Sequence, residues 1–375
     1  MRILLVTNYQ PPHMGGIEYA AVSLRECWRR LGHEVVWLTT DLPPRAVSSS
    51  SDNLRVPAAN FLERKWQINT PLVNPCFLPL IGRAIDSCDV VNTHSLAPGL
   101  ASLTMVLALL KNKPVVATQH IGVIPFANKM LDLVQKKILC SLARWGVKRG
   151  MKLTFVGEAV RQWFVRNAGL HQAETIMTPA GIDRKIFNFV GDDERKAFRL
   201  KWSLAEDRLN ILFVGRFYEK KGLSLIRQLA ENFSGMKFTL VGQGPILPAT
   251  WRLDNVRVVG YVSNAELREL YGAHDLFVMP SVGEGWPAVV PQAMACGLPC
   301  LISEETFAGY DRDRDMFVVC PRDRVMLGKT LAAMAADSSG LITRRMKVSE
   351  YARTHWDWET TAGIYVELFR KLVAR

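Results

Sequence analysis

The sequence lacks the features that would place the chain across a membrane or outside the cell. Its longest apolar run, residues 98–110, is shorter than the roughly 20 residues that a membrane-spanning helix requires. Its seven cysteines include no C-x-x-C pair, and Cys296 and Cys300 are not spaced as in a zinc knuckle. The first residues, Arg2 to Thr7, are typical of a strand and not of a signal peptide. We therefore expect a reduced, cytoplasmic protein without a membrane-spanning segment.

The sequence also lacks the usual signals for two kinds of ligand. No G-x-G-x-x-G follows the first predicted strand, so the dinucleotide-binding fingerprint is absent and Asp41 alone does not argue for NAD. No recognised nucleic-acid module and no array of basic and aromatic residues is found, so we expect no nucleic-acid partner. The D-x-D sequence in residues 311–315 is interpreted as a solvated loop between arginines, not as a metal site.

Length and composition indicate a globular enzyme of two domains. The chain has 375 residues, of which 49% are hydrophobic and 22% charged. The net charge of +12 is unevenly distributed. Residues 1–185 hold 22 Lys and Arg against 12 Asp and Glu, a net of +10, whereas residues 186–375 hold 25 against 23, a net of +2. A basic first half predicts contact with something anionic.

Strand-like and helix-like stretches alternate along both halves. The predicted strands are Ile3–Thr7, Val35–Thr39, Asp89–Asn92, Val115–Thr118, Leu153–Val156, Thr175–Thr178, Ile211–Val214, Phe238–Val241, Val256–Val259, Leu276–Met279 and Cys300–Ile302. Such alternation predicts parallel, doubly wound sheets. We expect an α/β fold of two Rossmann-like domains, residues 1–184 and 185–356, followed by an amphipathic helix over residues 357–375.

The stretch 280–299, PSVGEGWPAVVPQAMACGLP, combines three features of an anion site. A buried strand precedes it, a glycine-rich turn carries Glu284, and a helix is predicted to begin near Pro287 and to end at Gly297. Pro291 is tolerated there because the first helical N–H groups have no intrahelical partner. We expect free N–H donors at this helix start to face an anionic ligand.

Two cations follow another predicted strand. Arg216 and Lys221 lie in GRFYEKKG, on a turn that enters a helix at Gly222. An arginine fork and a mobile lysine ammonium can hold a diphosphate from two directions. The alternative is a solvated basic turn.

Other candidates also follow predicted strands, where open α/β sheets bind ligands. Gly15 and Gly16 permit close backbone approach at the start of a helix, although an ordinary flexible loop is the alternative. His120 follows one strand and His94 another, and a structural histidine is the alternative for each. The two histidines are too far apart in sequence to indicate a metal site. Gly242 follows a further strand.

These motifs together resemble glycosyltransferase family 4. The stretch from Glu284 is similar to the family's donor-sugar signature, with Gln292 where the family has a second glutamate. GRFYEKKG is similar to its G-R-x-x-x-x-K-G, GGIE to its G-G-x-E loop, and VVATQHIG to its histidine strand end. Residues 242–245 resemble its G-x-G-P turn, and residues 260–263 its base-contacting segment.

The resemblance implies a retaining transferase (EC 2.4) of the GT-B architecture, with the site in the cleft between two domains and the last helix crossing back onto the first. Catalytic roles fall to Glu284, His120, Arg216 and Lys221. The donor-binding positions are Gly15, Gly16, Arg216, Lys221, Gly242, Val262, Glu284, Gly285, Trp286 and Gln292. Gln292 keeps an acceptor oxygen for the ribose but lacks the charge. The resemblance implies a nucleotide-diphosphate sugar as co-substrate, with no metal and no other cofactor.

The acceptor is expected to be a glycan or a lipid-linked molecule, in polysaccharide or glycoconjugate synthesis. The basic segment Lys136–Lys152, with Ile138, Leu139, Leu142, Trp145 and Val147 among its cations, is either a surface for an anionic membrane or a crossover helix with one solvated face. The residues 61–80 are a candidate acceptor groove. The alternative functions are a nucleotide-sugar epimerase of the same fold, transfer to a small soluble acceptor, and a non-catalytic nucleotide-sugar-binding subunit.

Overall fold

The computed structural model describes residues 1–11, 15–42, 50–60, 71–122, 129–310 and 312–374. Its contacts divide the chain into two compact units. The first comprises Met1–Gly181 together with Trp358–Arg375, and the second comprises Ile182–Asp357. Among the described residues, no helix is long and apolar enough to cross a bilayer.

The first unit is built on a seven-stranded sheet in which every pairing is parallel. Its strand order is β3-β2-β1-β6-β7-β8-β9, and β4 and β5 form a separate antiparallel pair. The strands are β1 Arg2–Val6, β2 Glu34–Thr40, β3 Asn53–Val56, β4 Ala58–Ala59, β5 Leu72–Val73, β6 Val90–His94, β7 Val115–Gln119, β8 Lys152–Phe155 and β9 Thr175–Met177. The run in β1 is nearly all apolar because helices cover both faces of the sheet, whereas β6 and β7 begin apolar and end in buried polar residues.

Among the described residues, five helices precede the boundary of this unit. They are α1 Gly16–Arg30, α2 Leu78–Asp86, α3 Leu100–Leu110, α4 Lys129–Lys148 and α5 Glu158–Ala168, with 3₁₀ turns at Pro75–Phe77 and Gln172–Glu174. In α1, Ala20, Leu24 and Trp28 recur every four residues and are buried against the sheet. Gly32, in the left-handed region at φ +80°, follows the helix end.

The second unit repeats this construction with a six-stranded parallel sheet of order β12-β11-β10-β13-β14-β15. The strands are β10 Asn210–Val214, β11 Lys237–Val241, β12 Val256–Val259, β13 Leu276–Met279, β14 Cys300–Ser303 and β15 Val318–Cys320. The strand order reverses between β10 and β13. Ligands of open α/β sheets bind at such a switch point, beyond the carboxyl ends of the strands.

Seven helices lie among the described residues of the second unit. They are α6 Asp192–Lys201, α7 Leu223–Asn232, α8 Asn264–Ala273, α9 Val289–Ala295, α10 Glu304–Phe307, α11 Arg324–Ala336 and α12 Ser338–His355, with 3₁₀ turns at Glu219–Lys221, Pro248–Trp251 and Arg314–Met316. The predicted α/β fold of two Rossmann-like domains with parallel sheets is therefore confirmed.

The terminal helix α13, Trp358–Val373, packs on α1 of the first unit. The indole of Trp28 donates to the carbonyl of Ala362 at 3.3 Å and meets the rings of Tyr365 and Phe369 edge-on. The positions predicted to be buried in this helix are Trp358, Tyr365, Leu368, Phe369 and Leu372. All of these are buried except Leu368, which is half-buried.

Three local expectations were incomplete. Strand β3 was not predicted, because its first three residues are half-buried at the sheet edge and do not form an apolar run. The edge strand β15 was also not predicted. Helix α9 begins at Val289, two residues after the predicted start at Pro287, because Ala288 serves as its N-terminal cap residue.

Candidate functional site

Three candidate motifs of the second domain lie at the ends of neighbouring strands. Gly215 and Arg216 follow β10, Gly242 follows β11, and Glu284 lies in the loop after β13. Strand β10 pairs in parallel with both β11 and β13. The sheet therefore brings together motifs that are separated by up to 69 positions along the sequence.

The turn after β10 closes tightly on the loop after β13. Gly222 has φ +80°, and a Cβ atom there would lie 2.4 Å from the carbonyl oxygen of Pro280. The N–H of Val282 donates to the carbonyl of Lys220 at 2.8 Å. A side chain at position 222 would force the two loops apart, so glycine is required for their contact.

This contact places Lys221 against Glu284. The Lys221 Nζ lies 2.8 Å from the Glu284 Oε1, and the two side chains are only 14% and 12% exposed. Burial lowers the pKa of Lys221, while the neighbouring Glu284 carboxylate opposes that shift. Two residues predicted for different parts of a donor molecule thus form an ion pair at the switch point of the sheet.

Arg216 occupies a different environment on the same turn. Its side chain is exposed, lies over the ring of Tyr218 with 4.9 Å between the guanidinium carbon and the ring centroid, and donates to the Tyr218 hydroxyl at 3.1 Å. Its guanidinium is therefore positioned by stacking but remains hydrated.

Gly242 serves the packing of the turns. It has φ +139°, and a Cβ atom would lie 2.0 Å from the carbonyl oxygen of Gly215. A Cβ on Gly244 would meet the backbone of Phe217 at 2.5 Å. In this structure both glycines are needed for backbone contact between the loops after β10 and β11.

Gly285 and Trp286 link the Glu284 loop to an aromatic cluster. Gly285 is buried, and its carbonyl oxygen would lie 2.6 Å from a Cβ on Gly309. The half-buried Trp286 ring meets Tyr310 and Trp356 edge-on, at centroid distances of 5.8 and 6.1 Å. Packing on one side fixes the position of Trp286.

The start of α9 offers fewer free N–H groups than the sequence predicted. The N–H of Val290 already donates to the carbonyl of Pro287 at 3.2 Å, and Pro291 has no N–H. The N–H of Gln292 donates to the carbonyl of Ala288 at 3.1 Å. The expected anion site therefore depends on side-chain cations more than on this helix end.

Two predicted nucleotide contacts face the interior of the domain. Gln292 is 7% exposed, and its Oε1 accepts a hydrogen bond of 3.4 Å from the buried Tyr271 hydroxyl. Val262 is half-buried and packs on the same core. Their roles in binding remain predictions, since this structure shows only their packing.

In the first domain, His120 is joined to His94. His94 is the last residue of β6, and His120 directly follows the neighbouring strand β7. The His94 Nδ1 lies 2.8 Å from the His120 Nε2. The His94 Nε2 lies 2.9 Å from the Asn92 Oδ1. Burial lowers the pKa of His120 to about 4 and lowers the pKa of His94 well below its usual value.

This contact was not found from the sequence. Asn92, which contacts His94, and Thr118 and Tyr365, which continue the hydrogen bonds from Asn92, were not proposed as site residues. The Thr118 hydroxyl lies 2.8 Å from the Tyr365 hydroxyl, and the Asn92 Nδ2 donates to Thr118 Oγ1 at 3.4 Å. The strand signals placed both histidines at strand ends, but strand order is needed to make β6 and β7 neighbours.

Gly15 and Gly16 lie where the sequence placed them, at the start of α1. Gly15 is the N-terminal cap residue and Gly16 the first residue of the helix, and no atom lies within 4 Å of a Cβ built on Gly16. Glu18 in the first turn is buried, so a carboxylate already lies near this helix end.

The remaining candidates have structural roles or lie outside the described residues. Asp313 accepts from the Tyr351 hydroxyl at 2.7 Å, and Asp315 pairs with Lys347 at 3.1 Å. Asp311 and residues 61–70 of the candidate acceptor groove lie outside the described residues. Among the residues that are described, no group of three or more His, Cys, Asp or Glu side chains is placed to hold a metal ion.

Helix α4 presents an apolar stripe to solvent. Met130, Leu133, Val134 and Ile138 lie on one helix face and are 68%, 51%, 47% and 37% exposed. Ile138 is one of the apolar residues predicted to face a membrane, and the other three stripe residues precede that segment. Of the remaining predicted residues, Leu139 is buried, whereas Leu142, Trp145 and Val147 are half-buried against the core.

Two family models match the chain. The model described as "Glycosyltransferase Family 4" matches residues 14–185, and that described as "Glycosyl transferases group 1" matches residues 208–337. The putative glycosyltransferase EpsF of Bacillus subtilis is 35% identical over 159 residues, which are 40% of this chain and 41% of that protein. One component of the human phosphatidylinositol N-acetylglucosaminyltransferase is 22% identical over 96% of this chain and 74% of its own length.

Solved structures match the chain over its whole length. The sucrose-phosphate synthase of Thermosynechococcus elongatus has a TM-score of 0.77 at 19% identity, covering 100% of this chain and 99% of that one. Anabaena HepE, solved in complex with UDP-glucose, has a TM-score of 0.74 at 15% identity, covering 99% of this chain and 100% of that one. These similarities concern the fold.

Proposed function

Because the chain belongs to glycosyltransferase family 4, the glycosyl transferases group 1, and is a glycosyltransferase of the GT-B fold, we propose that it transfers a sugar from a nucleotide-diphosphate sugar to a hydroxyl of a glycan or lipid-linked acceptor, with retention of configuration. The donor class is supported by HepE, which is of similar fold and was solved with UDP-glucose. Polysaccharide or glycoconjugate synthesis would use such a reaction.

The observation that carries the proposal is the placement of Lys221, Arg216 and Glu284 at one switch point. Lys221 and Glu284 already touch at 2.8 Å, and Arg216 lies on the same turn. A diphosphate requires cations and a sugar requires a hydrogen-bond acceptor, and this turn offers both. We assign the cations to the diphosphate and Glu284 to hydroxyls of the transferred sugar.

Donor binding changes the partners of the ion pair. In the absence of donor, the Lys221 ammonium neutralises the buried Glu284 carboxylate. A bound diphosphate gives the ammonium a second anionic partner, while sugar hydroxyls donate to the carboxylate. Neither charge is left without a partner in a poorly solvated position.

Transfer then breaks the bond between the anomeric carbon and the diphosphate oxygen and forms a bond to the acceptor oxygen on the same face. The acceptor hydroxyl gives its proton to the departing phosphate oxygen, so the products are the glycoside and the nucleoside diphosphate. Arg216 and Lys221 stabilise the negative charge that develops on the leaving group.

The two cations also support a reaction without a metal ion. Arg216 and Lys221 supply positive charge on the turn where a metal would otherwise neutralise the diphosphate. Transfer that persists after treatment with EDTA is expected. Loss of transfer that is restored by added Mg²⁺ or Mn²⁺ would contradict a metal-independent reaction.

A lipid-linked acceptor at an anionic membrane surface is supported by α4. Its exposed apolar stripe is accompanied by exposed cations, including Lys129, Lys136 and Lys137, and the first half of the chain has a net charge of +10. An apolar face flanked by lysines suits insertion at the headgroup boundary of an anionic bilayer. The name of the human relative also refers to a lipid, phosphatidylinositol.

Vesicle binding tests the membrane surface. The chain should co-sediment with vesicles that contain phosphatidylserine and bind far less to pure phosphatidylcholine. Leu133→Glu with Val134→Glu should abolish binding, because both side chains are exposed on the stripe. Leu200→Glu, at a side chain that is 83% exposed in the second domain, is the matched control. Equal binding by the stripe variant and the control would contradict the assignment.

The donor proposal is tested by thermal stabilisation with UDP-, GDP-, ADP- and dTDP-sugars, followed by product analysis. A ligand that binds only the folded chain raises its melting temperature. We expect one nucleotide class to stabilise the wild type and Lys221→Ala to lose that response, while the exposed neighbour variant Lys220→Ala keeps it. Release of free epimerised nucleotide sugar would indicate an epimerase, and no response to any of the four would favour a non-catalytic role.

A further inference from the structure

Five polar side chains of the first domain form one hydrogen-bonded row beneath the strand ends. Tyr365 contacts Thr118 at 2.8 Å, Asn92 donates to Thr118 at 3.4 Å, and His94 contacts Asn92 at 2.9 Å and His120 at 2.8 Å. All except His120 are buried. The direction of the donors along this row determines which nitrogen of His120 carries its hydrogen.

The orientation of Asn92 is determined by the backbone. Its Nδ2 lies 3.1 Å from the carbonyl oxygen of Val116, which can only accept. If the amide were rotated by half a turn, the Asn92 oxygen would face that carbonyl oxygen and both would be acceptors. The Asn92 Oδ1 must therefore face His94, and the His94 Nε2 must carry a hydrogen to donate to it.

His94 is neutral. Its side chain is 1% exposed, and the lowering of its pKa arises from burial and from the neighbouring His120. The titratable groups around the cavity beside the two histidines are the histidines themselves and the neutral Tyr365 hydroxyl, with no carboxylate or ammonium among the lining residues. With its single hydrogen on Nε2, His94 has a lone pair on Nδ1 and accepts from the His120 Nε2–H.

We propose that Asn92 and His94 are positioning residues that hold His120 as the Nε2–H tautomer, so that its Nδ1 accepts a hydrogen bond from a substrate hydroxyl. This inference rests on the proposed function for the identity of the substrate. Within the described part of the chain, the His120 ring makes no other hydrogen bond. Its Nδ1 is therefore available to a ligand.

The tautomer restricts what can bind at this position. A neutral ring that presents a lone pair accepts a hydrogen and repels an oxygen that carries none. The group opposite His120 must therefore carry a hydrogen, and we assign it to a sugar or acceptor hydroxyl and not to an ionised phosphate or carboxylate oxygen. The diphosphate is instead assigned to the cations of the second domain.

Nitrogen NMR of the chain labelled with ¹⁵N-histidine tests the tautomer without any substrate. The seven histidines give separate patterns, and the signal that disappears in His120→Gln identifies His120. We expect a protonated Nε2 and an unprotonated Nδ1 at pH 7. A protonated Nδ1, or signals averaged between the two tautomers, would overturn the proposal.

Variants then separate positioning from folding. Asn92→Leu and His94→Phe should each give a His120 signal averaged between tautomers. Thr104→Val is the structural control, because Thr104 is equally buried but bonds only within α3, to the carbonyl of Leu100 at 2.8 Å. An unchanged His120 pattern in both Asn92→Leu and His94→Phe would refute the positioning role.

Transfer kinetics provide the functional readout. His94→Phe should lower kcat about tenfold or more, within the range of positioned proton acceptors, and should move the acidic limb of the pH profile to lower pH, because the protonated form of His120 loses a hydrogen-bond acceptor. The structural control Thr104→Val should keep most of kcat. If the wild type shows no transfer but has the expected tautomer, the proposed function fails and the tautomer assignment stands.

Discussion

The two domains carry different chemistry at the carboxyl ends of their parallel strands. In the first, the ends of β6 and β7 carry neutral groups, Asn92, His94 and His120, joined by hydrogen bonds of 2.8 and 2.9 Å. In the second, the loops after β10 and β13 carry opposite charges, Lys221 and Glu284, at 2.8 Å. The polar groups are at similar distances, but only the second pair buries charge.

This difference has an energetic meaning. A buried network of neutral hydrogen-bonded groups is stable if every donor in it has an acceptor. A buried ion pair has a large desolvation cost, and removing one partner leaves the other charged and poorly solvated. The first site is therefore sensitive to protonation, and the second to loss of either charge.

The strongest test of this comparison is Lys221→Ala. It should abolish most transfer and lower the free energy of unfolding by about 3–5 kcal/mol, because Glu284 is left buried without its cation. Denaturant unfolding and transfer assays measure the two effects. Lys221→Met combined with Glu284→Leu should recover stability without activity. If Lys221→Ala were as stable as Lys220→Ala, the ion pair would not contribute to the stability of the second domain.

Low pH should lower the stability of the first site. The pKa of His120 falls from 6.5 to about 4 on folding, so the unfolded chain binds more protons than the folded chain between these values. Stability is therefore retained above pH 6.5 and decreases as the pH falls toward 4, by at most about 3 kcal/mol for this group. His274 of the second domain is shifted in the same way. His120→Gln should remove only part of the acid dependence, and an unchanged dependence would contradict the neutral row.

Arg216→Ala should separate activity from stability. The guanidinium is exposed over Tyr218 and has no buried carboxylate partner within the described residues, so stability should change by less than about 0.5 kcal/mol. Transfer should fall about 100-fold, because charge on the leaving group loses a preorganised donor. Arg227→Ala, at an exposed arginine of α7, is the control. Wild-type turnover of folded Arg216→Ala would remove this residue from the diphosphate site.

The smallest effect is expected for Gln292→Glu. The side chain is 7% exposed beside Tyr271, so a new carboxylate would be desolvated and stability should fall by about 1 kcal/mol. Donor affinity, measured by calorimetry, should change by less than about tenfold. Tyr271→Phe removes the hydroxyl contact and is the companion variant. Unchanged affinity would show that the charge missing at position 292 hardly matters.

The sequence predicted the fold and the class of enzyme from strong local signals. Apolar runs such as Leu276–Met279 identified the buried strands, and the motifs around Arg216 and Glu284 led to the glycosyltransferase prediction, which the family matches confirm. Half-buried edge strands such as β3 gave no comparable signal, because only one of their four residues is buried.

The contacts within each site could not be predicted from the sequence, for a different reason. Lys221 and Glu284 are 63 positions apart, and His94 and His120 are 26 apart. Their proximity follows from the pairing of β10 with β13 and of β6 with β7. Local patterns identify strand ends, but they do not give the order of strands in a sheet. The role of Gly222 as the point of closest loop contact depends on the same order.

The terminal helix has a consequence for how the chain reaches its native state. Residues 182–357 form the second unit as an insertion between the body of the first unit and α13. The core around Trp28 and the hydroxyl row at Tyr365 therefore cannot be completed on the ribosome until the entire second unit has been synthesised. Contacts that span 334 positions are slow to form because loop closure precedes their gain. The second unit excludes α13, so its core can be completed before α13 packs on α1.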